Sequence, residues 1–336
     1  MPELLTQRAA AGDIIVYVTN NSRWHRSEYQ ARLEDMGAPA SLEHILTSAR
    51  GTALALATLP EPPRLSMVFG GAGLQRELED VGLATVECSY AGSARKPDAV
   101  VCGVDFDLSF ERLSAAAMAI RDGAYFAATN RDPIFPMADG LKAGAGSMIM
   151  AIVTASGREP DMVIGKPEPG LMREAAAVAG VPVEEAVVLG DGLVTDIAAA
   201  NAVGARSVLV LTGVSTTEQA QALPPDEQPT ALAEGLRSPR AVHPYRADDG
   251  LAIASEGLTR SDGDADENDV DGLPASRALE NDASLVVAPG RAVDRDAPLD
   301  LQRHCPQAEW PETEAAAAAE HQRGDDDNEA VGSDLL

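Results

Sequence analysis

Residues Val187–Gly204, VVLGDGLVTDIAAANAVG, constrain the fold more than any other stretch of this 336-residue chain. An apolar run stops abruptly at Gly190-Asp191-Gly192, and an Ala-rich segment follows Asp196. The run reads as a buried strand and the Ala-rich segment as a helix. A buried strand that delivers a carboxylate at its tip, into a loop before a helix, belongs to an open α/β sheet. Ligands of such sheets bind at the carboxyl ends of the strands. Asp191 and Asp196, one at the strand tip and one at the helix start, suit a hard divalent cation with oxygen ligands. The same two residues would serve equally as turn and N-cap residues, so the stretch alone leaves both readings open.

Apolar β segments and helical segments alternate along the first 240 residues. Strands are expected at 13–18, 65–69, 99–103, 125–129, 162–165, 186–190 and 207–211. Helices are expected at 2–11, 27–36, 42–57, 73–81, 109–121, 143–156, 169–179, 195–203, 216–222 and, weakly, 230–236. Alternation with short links predicts an α/β fold with a parallel, doubly wound, Rossmann-like sheet. The first element reads as a helix leading into a strand, whereas a βαβ layer normally opens with a strand. The expectation is therefore a chain that starts one strand late.

A net charge of −27 argues against nucleic acid or an anionic membrane as the main partner. The charge is uneven: residues 241–336 carry 23 acidic and 7 basic side chains. Within that tail, Ser261–Gly272 (SDGDADENDVDG) has no apolar period, so an acidic, mostly disordered tail is expected over 238–336. The Asp spacing there only faintly resembles a calcium loop, with no closing Glu. A short strand at 284–287 and an Ala-rich helix at 312–322 are the elements the tail suggests. Cys88, Cys102 and Cys305 are scattered, with neither a disulfide framework nor zinc spacing. No apolar window is long enough to span a membrane and no secretory signal opens the chain, which points to a cytoplasmic protein.

Three positions share one chemical logic. Thr19 ends a strand, so its hydroxyl and the following backbone N–H groups of Asn20 and Asn21 can bond a phosphate oxygen. Lys166, one of only three lysines, follows a strand in Gly165-Lys166-Pro167. Asp191 ends another strand and can hold Mg²⁺. Phosphoryl transfer depends mainly on positioning and on stabilising negative charge, which a hydroxyl, an ammonium and a metal carboxylate supply.

The segments YVTNNS, VIGKPEPGLM and VVLGDGLVTDIAAA resemble motifs II, III and IV of the haloacid dehalogenase (HAD) superfamily, most closely its NagD-like, subfamily IIA phosphatases. The resemblance spans roughly residues 2–236. It implies a three-layer HAD core over 1–57 and 160–237, with an inserted α/β cap of the C2 type over 58–159. It further implies a Mg²⁺-dependent phosphatase of small phosphorylated metabolites that works through an aspartyl-phosphate. Thr19, Asn20 and Asn21 would take the phosphoryl group, Lys166 would neutralise its charge, Asp191 would ligate Mg²⁺, and Asp196 would support the metal shell. Asn130 and Asp132, in the cap segment, either face the substrate or simply build a turn. Caps of this kind often pair, which leaves a homodimer open.

The family's motif I, an apolar strand ending in DxDG with the nucleophile and the acid/base, is absent from the 18 residues before Thr19. Asp13 opens a strand instead of closing one. Val100–Asp107 (VVCGVDFD) mimics DxD, but it follows motif II, and it reads as the strand leading into the cap. The expectation is a chain inactive as written. Its gene start would lie upstream, because losing a central strand would expose two sheet edges. The alternative is a non-catalytic paralogue that binds phosphometabolites or serves as a scaffold. His25, just after motif II, either lies near the site or is an exposed, incidental residue, and Gly70-Gly71-Ala72-Gly73 reads as a tight βα turn rather than a phosphate loop.

Overall fold

A computed structural model describes residues 2–137, 139–235, 243–244 and 283–288. Helix α1 (Pro2–Ala10) leads into β1 (Ile14–Thr19), followed by α2 (Arg26–Asp35), β2 (Ile45–Thr47) and α3 (Ser48–Ala57). A second lobe then begins with β3 (Leu65–Phe69), α4 (Ala72–Asp80), β4 (Ala84–Glu87), α5 (Tyr90–Ser93) and β5 (Ala99–Cys102). It continues through α6 (Phe110–Arg121), β6 (Tyr125–Ala128), a hairpin of β7 (Ile134–Met137) and β8 (Gly140–Ala143), α7 (Ala145–Ser156) and β9 (Met162–Val163). The chain returns through α8 (Gly170–Ala179), β10 (Val187–Gly190), a π-turn over Leu193–Ile197, α9 (Ala198–Ala202), β11 (Arg206–Val210), α10 (Thr217–Gln221) and β12 (Ala231–Ala233). Two further strands follow, β13 (His243–Pro244) and β14 (Ala283–Ala288).

The second lobe holds a five-stranded sheet in the order β4-β3-β5-β6-β9, parallel throughout. Its central strands β3, β5 and β6 are short apolar runs buried on both sides, as a parallel sheet requires, while the edge strand β4 is largely exposed. Phe69, Val100, Cys102 and Phe126 face α6 and α7, while Val68, Val101 and Ala127 join the core shared with the first sheet.

The first sheet runs β13-β12-β11-β10-β14-β1-β2. β1 pairs parallel with β2, and β10, β11 and β12 pair parallel in turn. Between β1 and β10 lies β14, antiparallel to both. Its sequence, ASLVVA, is apolar on both faces. Val286 and Ala288 pack with Val16, Val18, Leu46 and Val188 towards α3 and α8. Leu285 and Val287 pack with Ile15, Tyr17 and Leu189 towards α1 and α2. Helices thus cover both faces, giving the three layers expected, but the expectation of two bared edges is corrected. The central slot is filled from the far end of the chain, and by a strand of opposite direction.

Other expectations change locally. Residues 42–57, read as one helix, form a 3-10 turn, β2 and then α3. Three residues of strand are too short to show a period. The weak helix at 230–236 is strand β12, which pairs with β11. β5 lies in the middle of its sheet, and β3 leads into the lobe. The strand expected at 284–287 is β14, whereas the rest of the tail, including the helix expected at 312–322, falls outside the described residues. Among the described residues no helix is long and apolar enough to cross a membrane.

Candidate active site

β1 and β10 both run antiparallel to β14, so their carboxyl ends lie at the same edge of the sheet. Thr19 ends the first and Gly190 the second, with Asp191 following. The segment Ile164-Gly165-Lys166-Pro167 reaches the same edge as the chain leaves the five-stranded sheet. Its Lys166–Pro167 peptide is cis. Gly165 N donates to Thr129 O at 2.8 Å and Lys166 N to Asn20 Oδ1 at 2.8 Å. A Cβ on Gly165 would come within 2.6 Å of Thr129 O, so only glycine lets the backbones approach this closely.

Asn20 is the strut of this edge. Its Nδ2 donates to Lys166 O at 2.8 Å and to Asp132 Oδ2 at 2.9 Å. Asn130 Nδ2 donates to the same Asp132 oxygen at 2.9 Å, and Ser48 Oγ donates to Asn20 O at 2.5 Å. The side chain of Asn20 is therefore occupied in joining the two lobes, and its contribution to an anion falls to its backbone. Asn130 and Asp132 have their side chains engaged with this strut. Asn21 N donates to Thr19 Oγ1 at 3.1 Å, and Asn21 Oδ1 accepts from Arg23 N at 2.9 Å, which curls the loop.

The charged half of the site is a buried chain of three residues. Lys166 Nζ donates to Asp196 Oδ1 at 2.6 Å, with both side chains essentially out of solvent. Asp196 Oδ2 accepts from Asp191 N at 3.1 Å and Gly192 N at 3.0 Å, pinning the Gly-Asp-Gly turn. A Cβ on Gly190 would sit 2.4 Å from that carboxylate. Asp191 Oδ2 accepts from Val214 N at 3.1 Å, and the loop after β11 presses so closely that a Cβ on Gly213 would overlap Asp191. Burial first, then the charge of Asp196, pushes the Asp191 carboxyl above its ordinary value, while Val214 N–H and Lys166 partly offset the rise. Two neighbouring carboxylates, of which only Asp196 is paired with the lysine, fit a bound cation, which would offset the desolvation and the repulsion at Asp191.

Lys166, Asp191 and Asp196 thus form one bonded group, and Asn20, Asn130 and Asp132 another, joined to the first through Lys166. The sequence reading missed Ser48, the Gly213-Val214 loop and Ser284, whose Oγ lies 3.4 Å from Lys166 Nζ. A glycine straight after an apolar run, LTGVS, was the available signal for the loop. Ser284, the lone polar residue in ASLVVA, was the signal for the strand.

Two sequence readings are settled differently here. His25 is buried, caps α2 and bonds Asp80 at 3.0 Å, so it is neither exposed nor incidental. With Glu77 and Asp80 it has the composition of a metal site, but Arg26 bonds both carboxylates, and the group is an ion-pair tie between α2 and α4. Asp105, in the mimic of DxD, is buried against Arg112 Nε and Nη2, each at 2.7 Å, inside the second lobe. Nearby, a cavity of about 390 Å³ is lined by Asp105, Phe106, Met137, Lys142, Ala143 and Met148. Arg23, on the loop after β1, stacks on Phe106 at 3.9 Å and Trp24 at 4.4 Å.

Thr19, Lys166, Asp191 and Asp196 thus stand together along one edge of the seven-stranded sheet. Two family profiles match, one described as haloacid dehalogenase-like hydrolase over residues 1–84 and one as HAD-hydrolase-like over residues 163–239. The chain is 40% identical over 223 residues to D-glycerol 3-phosphate phosphatase of Mycobacterium tuberculosis, covering 66% of this chain and 61% of that protein. It is 37% identical to human chronophin, covering 66% of this chain and 77% of chronophin. Among solved structures, the p-nitrophenyl phosphatase of Archaeoglobus fulgidus superposes with a TM-score of 0.63 at 34% identity, covering 69% of this chain and 87% of that one. The glycerol phosphate phosphatase of M. tuberculosis, solved in complex with magnesium, superposes with a TM-score of 0.60 at 39% identity, covering 66% and 65%. The chain belongs to the haloacid dehalogenase-like hydrolases. It spans less than two thirds of the length of the mycobacterial relative.

Proposed function

We propose that this chain carries the phosphate- and Mg²⁺-binding apparatus of a phosphatase of small phosphorylated metabolites. The observation that carries the reading is the buried run Lys166–Asp196–Asp191 beside Thr19 at one sheet edge. Thr19 Oγ1 and the backbone N–H groups after it would bond phosphoryl oxygens. Lys166, held in place by Asp196, would offset their charge in a site of low dielectric, where a fixed ammonium counts for more than in water. Asp191 would hold Mg²⁺, and the ion when bound supplies positive charge at the phosphoryl oxygens. The names of two relatives, D-glycerol 3-phosphate phosphatase and p-nitrophenyl phosphatase, support the same reaction class. Residues 58–159 would form the cap over a core of 1–57 and 160–237. The cavity beside Phe106 and Lys142 would help to choose the substrate, and the cap face is the surface we assign to a homodimer.

The slot between β1 and β10, where a strand could present a nucleophilic carboxylate beside Thr19, holds Ala283 opposite it. Among the described residues no other carboxylate is bonded into this edge beyond Asp132, Asp191 and Asp196, each of which already has a role. We infer phosphate and Mg²⁺ binding with no measurable turnover by these 336 residues, and this favours, as the second reading, a phosphometabolite-binding protein. Both readings are tested by titrating inorganic phosphate and Mg²⁺ calorimetrically and assaying p-nitrophenyl phosphate hydrolysis. Binding without hydrolysis is expected. Mg²⁺-dependent turnover abolished by Asp191→Asn would overturn the inactivity, and absence of both binding and turnover would overturn the site itself.

A further inference from the structure

One strand of the first sheet does not follow from its neighbours in sequence. Residues 245–282 separate β14 from β13, yet β14 sits in the middle of the sheet. Removing it would leave two pieces, β2-β1 and β10-β11-β12-β13, with no ladder between them among the described residues. Thr19 lies on one piece and Asp191 follows the end strand of the other. The span across the active-site edge is therefore set by the width of this one strand, two ladder spacings of about 4.8 Å each.

The strand is matched to its slot residue by residue. Ile14 to Thr19 pair with Ala288 to Ala283, and Val187 to Leu189 pair with Val287 to Leu285. Side chains alternate between the two faces, and both faces of the slot are apolar. Where the Lys166 ammonium borders the slot, the segment supplies its one polar side chain. Ser284 Oγ lies 3.4 Å from both Lys166 Nζ and Val18 O, fully buried. A slip of one residue would turn every side chain to the opposite face, carry Ser284 away from Lys166 and set an apolar side chain against the ammonium. Backbone ladders that hold an extended segment, with side-chain pockets that select its register, are how sheets bind peptides.

We propose that the groove between β1 and β10 is a strand-acceptor site and that residues 283–288 are its dedicated occupant, an in-chain donor strand that joins the two halves of the active-site sheet. Because its connection to the body is long, the segment binds as a tethered ligand rather than as a continuation of the fold. The ladders to β1 and β10 and the Ser284 contact hold it in the groove. The inference does not depend on the phosphatase reading, since the acceptor groove would exist whatever the site binds.

The test uses the full chain, folded intact. A protease recognition sequence is inserted between residues 255 and 270 and cut after purification, and the products are run by size exclusion in native buffer. The fragment bearing 283–288 should co-elute with the body, and hydrogen exchange should show the amides of Leu285 to Val287 protected at least tenfold over those of a free peptide. Separation of the fragment together with loss of the body's folded signal would also support the proposal, because the sheet then needs its donor. Separation with unchanged melting temperature and unchanged amide protection in β1 and β10 would overturn it. Co-elution without protection at Leu285 to Val287 would overturn it too, since the tail would then be held elsewhere. In the cut protein, added synthetic peptide ASLVVA should displace the fragment, and a peptide with Val286→Asp should not.

Discussion

The two sheets of this molecule are built on opposite plans. The five-stranded sheet takes its strands from one stretch of chain, 65–163, runs parallel throughout and buries almost purely apolar side chains. Of the two fully buried carboxylates among its described residues, Asp105 is neutralised within the lobe by Arg112 and Glu77 by Arg26 of α2. The seven-stranded sheet gathers strands from residues 14 to 288, mixes directions, and carries a lysine and aspartates buried at its edge. The first is assembled for stability and the second for a site. Burying Lys166 and Asp196 as a pair recovers only part of their desolvation, so that ion pair argues for a function more than for stability.

The largest effect that tests this contrast is Val286→Asp, which sets a carboxylate in the apolar centre of the donor strand. A fall in melting temperature of at least about 10 °C is expected by calorimetry. Hydrogen exchange should show β1 and β10 opening while β5 and β6 keep more of their protection. If both sheets lose protection equally, they are not separate constructions.

Asp105→Ala should cost about 3–5 kcal/mol in urea unfolding, because Arg112 is left buried without its partner. Phosphate affinity should stay within about twofold, since Asp105 bonds Arg112 within the second lobe and shares no partner with Lys166, Asp191 or Asp196. A tenfold loss of phosphate binding would mean that the second lobe shapes the anion site directly.

Asp191→Asn should weaken Mg²⁺ at least tenfold, about 1.4 kcal/mol, in calorimetric titration, with the melting temperature in the absence of Mg²⁺ equal to or above that of the parent. The direction follows from the raised pKa of Asp191: its ionised form is disfavoured in the folded protein, so removing the charge does not harm the fold.

The smallest effect concerns α8, which packs on the seven-stranded sheet. Burial raises the Glu174 carboxyl above its ordinary value, against an opposing pull from Arg50. A raised carboxyl pKa means the folded state prefers the protonated form. The ionised group therefore costs stability at neutral pH, and the cost disappears as pH falls below the ordinary value of 4.5. Glu174→Gln should raise the melting temperature by about 1–2 °C at pH 7 and by nothing measurable near pH 3.5. A difference that grows on acidification would reverse the assignment.

Much of this was legible in the chain. The apolar runs at 65–69, 99–103 and 125–129 are strands as expected, because buried parallel strands are continuous apolar runs and need no partner to be recognised. Thr19, Lys166, Asp191 and Asp196 were visible because each follows an apolar run or a glycine turn. What stayed hidden was short or distant. β2 and β12 have three residues each, too few for any period, and their strand character comes from pairing with β1 and β11. The hairpin of β7 and β8 shows no strand period in the sequence because its strands are largely exposed and weakly patterned.

Local period and turn chemistry act over a few residues, and they suffice for the α/β class, the order of the strand tips and the chemical types placed at them. Long-range packing sets the rest: Asn20 ties the lobes together, Asp196 locks Lys166, and residues 283–288 stand between Thr19 and Asp191. Those depend on contacts between residues more than a hundred positions apart in several cases, where the free energy of filling a buried slot outweighs the loop entropy of bringing the segment there. No local pattern in ASLVVA says which slot it fills. That is decided by the match between two apolar faces and one serine on the strand, and two apolar faces and one lysine in the groove.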